Sequence, residues 1–250
     1  MEGVSAKEDM IMHDTVRLGE KNVRMIAHRG LSGLELENTA AAFVAAGNRS
    51  YWGIETDVHR TLDGQFVVIH DDDTRRVTLC DLPVEGAEYE TLRQLSMKDR
   101  DGRVRRDLCI PSLEEYVRIC RKYEKYSVLE LKNRFEPEDI ARIVELIRRE
   151  GWLERTVFIS FELENLLDLR KLLPEQKAQY LVSRIDDGLL CVLKENHLDL
   201  DIRYTALTED FVREAHAAGV EINVWTADDP ADGHRLAAMG TDYITSNILE

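Results

Sequence analysis

Glu55 and Asp57 stand two residues apart in the run "IETDV". A strand turns both carboxylates to one face while Ile54, Thr56 and Val58 take the other. Two acids facing the interior of a buried strand need a counter-charge, because an unpaired ion costs far more than ordinary packing returns. The pattern by itself is weak. With 48 acids in 250 residues, about nine acid-x-acid pairs arise by chance. Glu130, in "VLELKN", adds a third acid inside an apolar run, with Lys132 two residues on and facing the same way. Taken alone, Glu130 and Lys132 read as an internal ion pair. Taken with Glu55 and Asp57, Glu130 completes an all-oxygen set suited to a hard divalent cation, Mg²⁺ or Ca²⁺, rather than to Zn²⁺.

His28 and His70 each close an apolar run, "VRMIAH" and "QFVVIH". One histidine at a strand end is most simply structural. Two of them beside an acid cluster supply a general base and a general acid near neutral pH. Arg29 and Lys132 are cations able to hold a phosphate, Arg29 through two parallel hydrogen bonds. The combination points to phosphoryl chemistry. Asp71, Ser160, Trp225, Asp242 and Ser246 also lie at the edges of strand-like runs. Five histidines are set aside: His59 as having the wrong strand parity relative to Asp57, His13 as part of a polar N-terminal extension, and His197, His216 and His234 as residues of expected loops or helices.

Residues scattered from 28 to 225 share a site only if the fold gathers them. Eight short apolar runs are expected as strands, at 23–28, 53–58, 126–131, 156–160, 178–183, 199–204, 221–226 and 242–246. A ninth, at 65–70, follows "DG" and is expected to pair with the second as a hairpin. Helices are expected from the capping box of Ser112 and Glu115, from Pro137 to Gly151, and over 162–173, 208–218 and 230–239. Strands alternating with helices imply parallel pairing through right-handed crossovers, and eight repeats in this length imply a closed TIM (β/α)₈ barrel. Its site lies where the strands end. The charged stretch from about Asp72 to Asp107 is expected as a small insertion after the second strand, over one barrel end. No Gly-, Ser- or Pro-rich linker occurs, so residues 23–250 are expected to form one domain behind an extension over 1–22.

The composition is that of a globular protein, and a net charge of -15 repels nucleic acid and anionic membranes. Cys80, Cys109, Cys120 and Cys191 have no metal-ligand spacing and suit a reducing compartment. The N-terminus lacks an apolar leader and no 18-residue apolar run occurs, so a cytoplasmic protein with no membrane insertion is expected.

The motifs "AHRG", "ENTAAAF" (37–43), "IETDVHRTLDGQFVVIHDDDTRRVT" (54–78), "IPSLEEY" (110–116), "LELK" (129–132), "ISF" (159–161), "NVWTADDP" (223–230) and "GTDYITSN" (240–247) together resemble the glycerophosphodiester phosphodiesterase family, over residues 23–247. The resemblance implies a TIM barrel, one divalent cation, and hydrolysis of a small glycerophosphodiester to sn-glycerol 3-phosphate and an alcohol. By motif position it implies acid/base roles for His28 and His70, metal ligation by Glu55, Asp57 and Glu130, phosphate contact by Arg29 and Lys132, and a substrate-side aromatic at Trp225. The chain departs from the family pattern at Leu36, at Leu62 and after Asn247, away from these positions. Three alternatives stay open on the sequence: action on lysophospholipids or phosphoinositides, a non-catalytic phosphate-binding barrel, and a metal-independent barrel isomerase or aldolase. The head group, the cation, which histidine is acid and which base, the route through water or a cyclic phosphate, and the oligomeric state are also open.

Overall fold

The computed structural model describes residues 14–20 and 22–250; His13 lies outside them. In chain order the elements are β1 (Arg24–Ala27), α1 (Ala40–Gly47), β2 (Gly53–Arg60), β3 (Phe66–Val68), α2 (Tyr89–Arg93), β4 (Met97–Lys98), β5 (Val104–Arg105), α3 (Leu113–Lys122), β6 (Tyr126–Leu131), α4 (Pro137–Arg149), β7 (Thr156–Ser160), α5 (Leu163–Leu172), β8 (Ala178–Val182), α6 (Leu189–Glu195), β9 (Asp199–Arg203), α7 (Glu209–Ala217), β10 (Ile222–Trp225), α8 (Pro230–Met239) and β11 (Tyr243–Ser246). β1, β2 and β6 to β11 pair in parallel, and β11 returns to β1, closing the expected eight-stranded barrel. β3 runs antiparallel to the end of β2, as the hairpin signal at Asp63 and Gly64 predicts.

Side-chain parity sorts the strands into two cores. Ile54, Val58, Leu129, Leu131, Leu200 and Ile202 point outward against the helices. Ile26, Val128, Val157, Ile159, Leu181 and Tyr243 point inward and fill the barrel with Trp52 and Trp225. This apolar plug surrounds one small polar network, Asn223 with Gln179 and Thr245, and leaves the carboxyl ends of the strands for the charged groups.

The helices begin where local chemistry predicts. Ser112 and Glu115 satisfy each other's backbone N–H groups at the start of α3, a cap worth about 1 kcal/mol. Pro137 opens α4, and Gly240, at φ 97°, closes α8 in a conformation that disfavours a side chain. α1 and α6 lie outside the expected helices, although Thr39 caps α1 by accepting the Ala42 N–H. α1 is nearly all apolar and so shows no amphipathic stripe, and α6 is short and starts at Gly188 without a side-chain cap.

The insertion contains α2 and the β4–β5 hairpin around its own small core of Val77, Val84, Leu92, Met97, Leu108 and Ile110, against Val67 and Ile69. Before β1, residues 14–20 run beside the chain end, with Val16 paired to Leu249 and Leu18 in the main core. No helix among the described residues is long and apolar enough to cross a membrane.

Candidate active site

Register alone assembles the acids. β2 and β6 pair with Asp57 directly beside Glu130, and Glu55 lies one inward position below Asp57. One oxygen from each of the three carboxylates lies within 4.8 Å of the others, and all three residues are buried. That spread fits one ion taking oxygen ligands at roughly 2.0–2.6 Å, with further positions left for water or substrate. The charges are partly balanced by the chain itself. Lys132 Nζ lies 3.0 Å from Glu130 Oε1 and 3.4 Å from Asp57 Oδ1, and Arg29 Nε lies 3.5 Å from Asp57 Oδ2. Glu130 Oε1 and Arg29 Nε nevertheless lack a hydrogen bond of good geometry, so these are Coulombic contacts around an unfinished polar site.

Those charges set the protonation states. Burial pushes Glu130 up to about 8, with the Asp57 charge adding to it and Lys132 opposing, and burial together with Asp57 raises Glu55 as well. Burial also disfavours ionised Asp57, but Arg29 and Lys132 outweigh it and hold that carboxyl low. The Asn38 amide adds a hydrogen bond of 2.8 Å to Asp57 Oδ2, while its own oxygen accepts one of 2.6 Å from Thr56.

The two imidazoles reach the same cleft. His28 Nδ1 is 2.8 Å from Asn247 Oδ1, an oxygen identified by the Ser32 hydroxyl that donates to it and by the Asn247 amide nitrogen donating to Asp228. His28 therefore donates through Nδ1 and turns Nε2 toward Glu55 Oε2, 4.0 Å away. Burial, and then Arg29, push its pKa down to about 4. His70 Nδ1 lies 2.7 Å from Asp71 Oδ1. Burial lowers its pKa too, although the Asp57 and Asp71 carboxylates favour its protonated form.

The chain turns sharply to present these groups. Arg29 sits at φ 52° and Gly30 at φ 76°, so that the Arg29 N–H donates 2.8 Å to Glu55 Oε2. A β-carbon on Gly30 would stand 2.7 Å from the Ala42 carbonyl carbon, which only glycine avoids.

The opposite wall of the cleft is apolar, formed by Ile159, Phe161, Leu181 and Trp225. Phe161 meets Trp225 edge-on at 5.6 Å, and Trp225 Nε1 has no partner.

Other residues of the sequence reading fall elsewhere. Ser160 caps the Leu131 carbonyl, and Ser246 binds Asp228. Asp242 lies just before β11, at the far end of the barrel, holding the Ile222 N–H and His216. Contrary to the expected parity, His59, two residues beyond Asp57, shares its face of β2. It stays out of the cleft because it is fully buried between Glu85 and the His70 carbonyl. His216 and His234 pair with acids on exposed helices.

Sequence reasoning passed over the supports Asn38, Glu37, Arg76, Asp228 and Asn247. It also passed over Asp201. This buried acid lines the cleft, and its Oδ1 has no partner. Burial, reinforced by Glu130, holds its pKa well above the usual carboxylate range. An acid raised on folding stabilises fully below its unfolded pKa and loses that contribution as pH rises. Asp201→Asn should therefore melt with the wild type near pH 4 and several degrees above it at pH 8, in thermal scans run with chelator. Equal melting at pH 8 would show that Asp201 ionises without cost.

A family model for the glycerophosphoryl diester phosphodiesterase family matches residues 28–249. Mouse glycerophosphodiester phosphodiesterase 1 is 35% identical over 269 residues, covering 91% of this chain and 79% of that protein. A glycerophosphodiester phosphodiesterase of Caldanaerobacter subterraneus is 28% identical, covering 90% and 94%. Among solved structures, an Oleispira antarctica phosphodiesterase in complex with the product sn-glycerol-3-phosphate superposes with a TM-score of 0.83 at 29% identity, covering 90% of this chain and 93% of that one.

Proposed function

The chain belongs to the glycerophosphoryl diester phosphodiesterase family, and on that premise we propose that its barrel mouth hydrolyses a small glycerophosphodiester to sn-glycerol 3-phosphate and an alcohol, with Glu55, Asp57 and Glu130 holding Mg²⁺ or Ca²⁺. The observation that carries this reading is the meeting of three buried carboxylates within 4.8 Å, two of which, Glu55 and Glu130, line the cleft that also receives both imidazoles. When bound, the cation neutralises the acids and stabilises charge building on the non-bridging phosphate oxygens. Arg29 and Lys132 bind the same phosphate, each released for that task to the extent that the acids gain another counter-charge.

The supports behind the two rings differ, and so do the roles we assign. His28 is backed by a neutral amide and stays unprotonated down to about pH 4, so it serves as the general base. His70 is backed by the Asp71 carboxylate, which stabilises an imidazolium, so it serves as the general acid on the leaving alkoxide. Trp225 and Phe161 offer the carbon skeleton of the substrate an apolar wall. Unpaired thiols at all four cysteines support a reducing compartment, the cytoplasm.

The test is release of sn-glycerol 3-phosphate from glycerophosphocholine and glycerophosphoethanolamine, with chelator, Mg²⁺ and Ca²⁺ arms. Release with either cation and its loss in chelator are expected. Full turnover in chelator would remove the cation from the reaction, and no release in any arm would leave a binding barrel without catalysis. Rapid-quench sampling for a cyclic glycerophosphate separates attack by water from attack by the neighbouring glycerol hydroxyl.

A further inference from the structure

The insertion has so far no part in the reaction, yet one of its side chains touches both arms of the site. Arg76 Nε and Nη2 donate to Asp71 Oδ2 and Oδ1 at 2.6 and 3.1 Å, and Nη1 and Nη2 donate to Glu37 Oε2 and Oε1 at 2.6 and 2.9 Å. Each carboxylate hands the order on. Asp71 Oδ1 meets His70 Nδ1 at 2.7 Å, and Glu37 Oε1 meets Arg29 Nη1 at 2.8 Å. We propose that Arg76 is a positioning residue that locks His70 and Arg29 into one rigid unit, an inference resting on the phosphodiesterase reading above.

Three features separate this from an ordinary surface ion pair. The guanidinium fork commits four donor contacts to two carboxylates, so its plane fixes the plane of each. The three segments involved, the loop after β1, the residue after His70 and the start of the insertion, meet otherwise through Leu36, Ile69 and Val77 of the small core, apolar contacts that set no direction for the polar side chains above them. Each carboxylate has a downstream partner in the cleft, so an error in its orientation is passed to a ring or a guanidinium that the reaction uses. Arg76 also holds both acids ionised against the burial that raises them, which keeps Asp71 an acceptor and therefore keeps the proton on His70 Nδ1. Lysine cannot substitute, because a single ammonium on a flexible stem cannot face two carboxylates in parallel pairs.

The experiment measures kcat on glycerophosphoethanolamine and the inhibition constant of sn-glycerol 3-phosphate for Arg76→Ala, Arg76→Gln and Arg76→Lys. Each is made in the wild type and in Asp71→Asn and Glu37→Gln backgrounds. About a 10–100-fold fall in kcat and a weakening of product inhibition of about tenfold are expected for Arg76→Ala, with little rescue by lysine. The double mutants carry the decisive readout. On Asp71→Asn the further loss should fall on product affinity and spare kcat; on Glu37→Gln it should fall on kcat and spare product affinity. Arg76→Gln, which preserves most of the side-chain volume, serves where Arg76→Ala melts early. Unchanged kinetics, full rescue by lysine, or losses that simply add on both backgrounds would overturn the inference. Wild-type turnover beside indifferent Arg76 variants would overturn Arg76 alone, whereas a wild type with neither turnover nor product binding would overturn the functional reading and this inference with it.

Discussion

His28→Ala and His70→Ala each lower kcat on a glycerophosphodiester by about 10²–10⁴-fold while the barrel still folds, the range that one positioned proton-transfer group supplies. The two losses are expected to differ in kind. His70, if it protonates the departing alkoxide, matters less when the leaving group needs no proton. A p-nitrophenyl ester of glycerol 3-phosphate should therefore recover most of the His70→Ala loss and little of the His28→Ala loss, since the nucleophile still has to be deprotonated. Rate measurements on the two substrates for both variants give the answer. Equal recovery in both would end the assignment of acid and base, and recovery in His28→Ala alone would reverse it. The structural reason for the asymmetry is the group that holds Nδ1 of each ring: the neutral Asn247 amide for His28, the Asp71 carboxylate for His70.

The sequence exposed the barrel because its strands are short, apolar and regularly separated. Seven expected strands agree with the structure to within one residue at each end, and the second runs two residues further, to Arg60. β2 is longer because the hairpin with β3 pairs Arg60 with Phe66, and that extension is what carries His59 toward the insertion. α1 escaped because its exposed face carries Ala40 and Val44 instead of polar residues, so the helix has no periodic contrast. In the site, Glu55, Asp57 and Glu130 were legible because carboxylates in apolar strands are out of place, and their meeting follows from one register, Asp57 beside Glu130. The supports were not legible. Asn38, Glu37, Arg76 and Asn247 sit in loops where polar residues are expected, and only the fold decides which of them bonds to which. Asp201 is the instructive miss. It shares the signature of Glu130, an acid within an apolar run, but "DLDIRY" has acids at 199 and 201, and Asp199 at the barrel's other end, hydrogen-bonded to the Glu221 N–H, makes the run resemble an ordinary solvated edge.

Cation binding should tighten steeply between about pH 5 and pH 8, because the cation-free site stores protons that the ligand set must give up. Glu130 is pushed up to about 8, and Glu55 is raised as well, both first by burial and then by the neighbouring Asp57 charge. The sign follows from linkage. An acid whose pKa rises on folding binds protons more tightly in the folded chain, so its stabilising contribution is complete below the unfolded pKa, near 4.5, and is lost as pH climbs toward the folded value. The cation-free protein thus loses stability over the interval in which the carboxylates become available as ligands. Two measurements read this. The gain in melting temperature on adding Mg²⁺ or Ca²⁺ should be small at pH 5 and several degrees larger at pH 8. Calorimetric titration at pH 7 in buffers of different ionisation enthalpy should register release of roughly one proton per ion bound. Glu130→Gln tests the origin of the effect: it removes both the ligand and the stored proton, so it should melt above the cation-free wild type at pH 8, lose most of the cation-induced gain, and release fewer protons on binding. A pH-independent gain in the wild type would mean that Lys132 and Arg29 already keep all three carboxylates ionised, and the site would then have to trade a cation for a cation instead of for a proton.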